Sequence, residues 1–171
     1  MKFSLRMLQA FTLLLAGLFG FFVFLGNILD YDSNYQFVKH VLSMDTTFEG
    51  NALMWRALTE PWMWTIAYIG IIAAEAVFAA LAIIGAVKLF QRRNADIASY
   101  DEARGWGYAA YAVGFAIWFF GFIVIGSEWF AMWQSGIWNG KETAMGIAML
   151  WAGFAVLLAL NEPARDRVAK S

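Results

Sequence analysis

Few side chains in this sequence can do chemistry in apolar surroundings, and Glu75 comes first among them. It lies thirteen residues after Trp62 in a long apolar stretch. Helical rise places it about 20 Å from the start of that stretch, the middle of a bilayer. Tyr68, Ile72, Ala79, Ala82 and Ala86 share its helical face, so small residues turn the carboxyl into a bundle and away from lipid. A carboxylate at that depth is costly unless it is paired, hydrated or protonated. Glu75, with Tyr68, therefore reads as a proton relay, an ion site or the counter-charge for a cationic ligand. The competing reading is a neutral, hydrogen-bonded carboxyl that fixes helix register.

A second group gathers at Glu128, Trp129, Trp133, Gln134 and Ser135, followed by Trp138 and Asn139. If the helix runs to Trp133, Glu128 lies about 7 Å below the surface and shares a face with Met132 and Ser135. Arg56 and Lys141 are the cations expected near it. His40 is the single histidine, with Met44 and Asp45 close by. His40 and Met44 have the chemistry of haem ligands, and His40 with Asp45 that of a metal pair. One histidine cannot make a two-histidine haem within one chain, and no haem, metal or other cofactor is expected. Zero cysteines exclude thiolate sites and disulfides. No phosphate-binding loop, nucleophile elbow or zinc-protease motif is present, and the reading leans away from an enzyme.

The elements that must hold these residues are membrane helices. Hydrophobic residues make up 61% of the chain and charged residues 15%, more apolar surface than a water-soluble chain of this length can hide. One membrane domain covers residues 1–171, with spans at about 8–29, 62–90, 105–130 and 144–161. Residues 30–61 form an outer loop and 91–104 a cytoplasmic one. The first run follows Lys2 and Arg6, exceeds a signal-peptide core and lacks a small-residue cleavage pattern before Asp30, so it is expected as an uncleaved span. Pro61 suits a helix start, and Asn161-Glu162-Pro163 a helix end.

The expected fold class is all-α, a four-helix transmembrane bundle. Lys2, Arg6, Lys88, Arg92, Arg93, Arg104, Arg165, Arg167 and Lys170 fall on one side, against Lys39, Arg56 and Lys141 on the other. The positive-inside rule then puts both termini in the cytoplasm. Scattered as they are, these charges make no nucleic-acid patch. Phe37, Val38, Val41 and Leu42 recur at helical spacing in the outer loop, as do Leu53, Met54 and Leu58, which predicts short amphipathic helices on the membrane surface. Trp55, Trp62, Trp64, Trp129, Trp133 and Trp138 fall near the outer boundary, as an interfacial anchor or the wall of an aromatic pocket. Ala144, Ala148 and Ala152 form a small-residue packing stripe, and Gly114 and Gly121 lie one heptad apart.

The stretches from Asn27 to Asn34 (NILDYDSN) and Phe37 to Thr47 (FVKHVLSMDTT), with Glu128 to Ser135 (EWFAMWQS) and Trp138 to Gly140, resemble the DUF2165 family of small integral membrane proteins of bacteria. The resemblance implies a bacterial inner membrane and four spans, and it carries no activity or ligand. The expected role is a non-catalytic accessory or ligand-binding subunit of a membrane assembly, its recognition surface periplasmic and its partners lipids, other membrane proteins or copies of itself. A small oligomeric transporter or proton-linked channel using Glu75 is the alternative. A lipid- or quinone-binding redox subunit is the third reading.

Overall fold

The computed structural model describes residues 4–161. Lys2, Arg165, Arg167 and Lys170 of the charge tally, and the Glu162-Pro163 stop, lie outside the described residues. Within them the chain is helical and contains no strand. Helix α1 (Leu5–Leu29) opens on Ser4, whose hydroxyl accepts from the Met7 amide at 3.3 Å. After Asp30, α2 (Tyr31–Ser43) begins, and it ends at Met44 in the left-handed region, φ 55°. Proline opens α3 (Pro61–Gln91), where its missing N–H costs nothing. Asp96 caps α4 (Ile97–Gly114), and α5 (Lys141–Ala159) completes the set.

Helix α4 does not stop at Gly114. It runs on to Trp129 with π winding, its amides bonding five residues back, as the Phe130 amide does to the Ile125 carbonyl at 3.0 Å. Counting this continuation with α4, four helices are long and apolar enough to cross a membrane. Their outward faces are those of a lipid-facing bundle: Phe22, Ile66, Met149 and Val156 are between 63% and 68% exposed.

Close backbone approach organises the interior. Gly17 faces Ile83 and Ala82, Gly20 faces Phe78, and Gly107 of α4 faces Leu13 and Leu158. In lipid such contacts replace the hydrophobic effect as the source of helix association. Ala144 and Ala148 are buried as their stripe predicts, whereas Ala152 is exposed. An aromatic cluster of Phe78, Trp118 and Trp151, with ring centroids 5.2–5.7 Å apart, fills the middle of the bundle.

The two ends differ. At the basic end Arg6 donates to the carbonyls of Arg93 and Ala95, and Arg104 donates to the Leu160 carbonyl, to Asn161 and to Asp101. Arg104 sits where the α5 C-terminus leaves carbonyls unpaired, and Arg6 ties down the turn between α3 and α4. Buried Gln9 donates to three carbonyls of the α5 terminus and accepts from the Tyr100 hydroxyl at 2.9 Å. At the other end α2, a single 3₁₀ turn at Met54–Arg56 and residues 130–138 form a cap. The apolar face of α2 (Val38, Val41, Leu42) is buried against Tyr68, Phe130 and Met132, so protein covers it. Of Leu53, Met54 and Leu58, Met54 opens a single 3₁₀ turn, Leu53 precedes it and Leu58 follows it, in place of a second amphipathic helix.

Candidate functional site

Glu75 is 2% exposed, and its Oε2 accepts from the Asn27 side-chain amide at 2.7 Å. Asn27 is the last polar residue of α1. Its backbone carbonyl and Oδ1 both accept from the Tyr68 hydroxyl, at 2.9 and 3.3 Å. Three side chains from two helices thus form one chain, with Asn27 at its centre. Glu75 Oε1 accepts nothing from the described residues. Tyr68 is covered by the rings of Tyr31 and Tyr35, 4.8 and 6.1 Å away. Sequence reasoning paired Glu75 with Tyr68 and passed over Asn27; the signal was there, since Asn27 is the one amide in the apolar run from Phe11 to Leu29.

The depth of Glu75 differs from the expectation. Gln9 marks the polar layer of the basic end, and Asn27 lies eighteen residues further along α1, about 27 Å by helical rise. Thr143 and Ala144, in the first turn of α5, line the same cavity as Glu75. Against a hydrocarbon layer of about 30 Å, the carboxyl is near the cap end and not midway. Counting from Trp62 misleads because α3, at 31 residues, is longer than a bilayer crossing needs and continues into the cap.

Glu75, Asn27 and Tyr68 border a cavity of about 420 Å³. Phe19, Trp118 and Phe122 provide aromatic walls, and Asn34 and Thr143 polar edges. None of the lining residues is basic. Beyond a partition of Phe37, Val38, Ile71 and Phe122 lies a second cavity of about 320 Å³ with a wholly apolar lining. It exists because α4 packs along α3 while its π continuation packs on α5, leaving a gap that α2 roofs.

The remaining candidates are dispersed over the cap. Glu128 is exposed and pairs with Lys141 at 3.1 Å. The helix stops at Trp129, Ala131 takes a left-handed conformation at φ 51°, and Met132 and Ser135 turn inward; the shared face with Glu128 does not form. Arg56 is not on Glu128. It lies between the rings of Trp55 and Trp129 and donates to the Trp129 carbonyl at 3.1 Å. Gln134 accepts from the Phe48 amide, Trp133 meets the Phe48 ring edge-on, and Asn139 accepts from the Lys141 amide. Ser135 accepts from Thr46 and from the Trp138 amide, tying the two cap segments together. His40 bonds Asp45 through Nδ1 at 2.8 Å and stacks on Trp138, while Met44 is buried in the cap interior. Among the described residues no three His, Asp or Glu side chains converge. None of the six cap tryptophans lines either cavity; Trp118, from mid-span, does.

What the arrangement can do is hold one acid in fixed orientation beside an aromatic-walled space near a membrane face. Neither a curated protein nor a solved structure matches the chain. The family model described as "Predicted small integral membrane protein (DUF2165)" matches residues 5–161, nearly every residue of the bundle and cap. With four membrane-length apolar helices on the same residues, this chain belongs to the DUF2165 family and is an integral membrane protein.

Proposed function

We propose that this protein is a non-catalytic ligand-binding subunit of the bacterial inner membrane, with its cap on the periplasmic side and both termini in the cytoplasm. The observation that carries the reading is the Glu75 cavity: a carboxyl held by Asn27 through one oxygen, the other having no donor among the described residues. Among the described residues no three His, Asp or Glu side chains gather beside it as a metal set. The orientation rests on Arg6, Arg92, Arg93 and Arg104, which gather at the end opposite the cap.

A transport path through one chain is less well supported. Below Glu75 the interior is filled by Phe78, Trp118, Trp151, Leu13 and Ala82. The polar atoms within it are the Tyr111 hydroxyl, the Trp151 indole nitrogen and Thr12, bonded to its own helix, before Gln9 at the basic end. That largely apolar plug fits a site entered and left from one side of the membrane. The outward surface of α5 is open to lipid, to other membrane proteins or to further copies.

Native mass spectrometry of protein extracted in mild detergent reads both parts of the proposal. The expected species carries a bound small molecule and a second subunit, and Thr143→Trp, which obstructs the cavity edge, releases the small molecule. Recovery of the bare single chain from every preparation would overturn the reading.

A further inference from the structure

The walls of the Glu75 cavity bear on the kind of ligand it takes. A carboxyl at 2% exposure that is neither protonated nor hydrated needs a positive partner, and no lining residue supplies one. Asn27 holds the site from two sides: its amide donates to Oε2 and its two oxygens accept from the Tyr68 hydroxyl. Oε1 is thereby left to a ligand. A hard metal cation takes six or more oxygen ligands, and the cavity offers Glu75 with Asn34 and Thr143 at its edge. Its other surfaces are ring faces and aliphatic groups. Aromatic rings attract organic cations through their quadrupole and also accept the cation's methyl or methylene surface, which a hydrated metal ion lacks. Phe19 of α1, 37% exposed, and Thr143 of α5, also exposed, put the mouth between these two helices. That mouth extends from the first turn of α5 down to Phe19, which is ten residues and about 15 Å from Gln9 along α1.

We propose that the Glu75 cavity binds an organic ammonium group, set against the free carboxyl oxygen and enclosed by the rings of Phe19, Phe37, Tyr68, Trp118 and Phe122. The inference rests on the ligand-binding reading above and names its ligand class. Two sources share this chemistry, a free amphipathic amine and the ammonium headgroup of a phospholipid. The apolar cavity beyond the Phe37–Phe122 partition has room for an attached hydrocarbon group.

The test uses the full chain in a non-ionic maltoside and in nanodiscs. Choline and dimethylbutanol, its neutral carbon isostere, are titrated calorimetrically against the wild type, Glu75→Gln and Thr143→Trp. Native mass spectrometry compares nanodiscs of phosphatidylglycerol alone with nanodiscs containing phosphatidylethanolamine. Glu75→Gln keeps an oxygen for the Asn27 amide, so the fold is retained while the charge is lost. For a free amine, choline binds, dimethylbutanol does not, and Glu75→Gln weakens choline by about ten- to a hundredfold. For a lipid, phosphatidylethanolamine is retained by the wild type and lost from Glu75→Gln. Equal binding of choline and dimethylbutanol, or unchanged binding in Glu75→Gln, overturns the ammonium assignment. If Thr143→Trp still abolishes that binding, the cavity remains a ligand site and only its ligand class is wrong. If neither substitution changes anything, or no probe and no lipid binds, the ligand-binding reading falls with it.

Discussion

The Asn27–Glu75 contact can be measured as a coupling free energy, and its size separates a charged carboxylate from a neutral carboxyl. Asn27→Leu removes the donor at 2.7 Å and leaves Glu75 buried with neither oxygen bonded; Tyr68 keeps its 2.9 Å bond to the residue-27 carbonyl. Glu75→Leu removes the acceptor and strands the amide. The double substitution replaces both with apolar side chains of comparable shape, a change that can be nearly neutral. Hydrogen bonds to charged groups contribute about 1.5–3 kcal/mol, whereas interhelical bonds in lipid average about 0.6 and reach about 1.7. A 2.7 Å separation is at the short end for an N–H donor to an ionised oxygen. The open cavity near the membrane face gives water access to that charge. The cycle should therefore return about 1.5–2 kcal/mol, with Asn27→Leu alone lowering the melting temperature by about 3–8 °C. Intrinsic fluorescence from nine tryptophans follows unfolding in maltoside. A coupling near about 0.6 kcal/mol refutes the charged state, and one inside the additivity error of about 0.3–0.5 kcal/mol refutes the bond as a stabilising contact.

Three further outcomes follow from the same geometry. Gly17→Ala should cost about 1–3 kcal/mol, because the added carbon falls 2.7 Å from Ile83 Cγ1 and 3.0 Å from the Ile83 backbone nitrogen, which cannot move aside. Gly153→Ala meets nothing within 4 Å and should be neutral or gain up to about 1 kcal/mol, so equal thermal shifts for the two would contradict the α1–α3 packing. The Asp96 carboxyl accepts from the Ser99 amide and hydroxyl, both at 2.9 Å, and these bonds hold its pKa below the usual carboxylate range. Its stabilising effect is then complete above the unfolded value of about 3.9 and is lost as pH falls through the lower folded value. Asp96→Asn keeps an N-cap acceptor, so its melting temperature at neutral pH should match the wild type while the acid-side loss shrinks; identical pH profiles would refute the cap. Finally, the cysteine-free chain allows clean labelling: Ile137→Cys, in a residue 79% exposed on the cap, should react with an impermeant maleimide on spheroplasts, and Ala98→Cys only after permeabilisation. The reverse pattern would invert the topology.

The four membrane helices were legible because lipid imposes a simple rule. Every backbone group must bond within its helix, so each crossing needs an unbroken apolar run, and the breaks at Asp30, Pro61 and Asn139 stand out. The isolated acid was legible for the same reason. The basic end was not. Gln9 looks like one polar residue near a helix start, and Arg104 like one more loop cation, yet each is buried on the α5 terminus. Nothing local in the chain says that residue 9 meets residue 160; that contact comes from α1 and α5 being neighbours in the bundle.

The π segment bears on where the cavity lies. Its amides reach five residues back, the turn is wider, and its buried positions are Ile117, Trp118, Ile123, Gly126 and Ser127. Counted from Trp118 at 3.6 per turn, Glu128 already lies about 80° off the inward face, and it meets Lys141 in the open. The expected face shared by Glu128, Met132 and Ser135 fails because the helix ends at Trp129 and the chain turns at Ala131. The same winding leads the segment away from α3 and onto α5, and the space so opened is where Gly70, Ala74, Ala116 and Gly121 line an apolar cavity instead of packing together. Five-residue spacing is also why Gly121 lies close to the Ala116 carbonyl, and Gly126 to the Gly121 carbonyl. Apolar composition looks the same for either winding, so the sequence identifies a helix here without showing its pitch. In this protein the π segment leaves α3 for α5 where the walls part, and so marks where a ligand can lie.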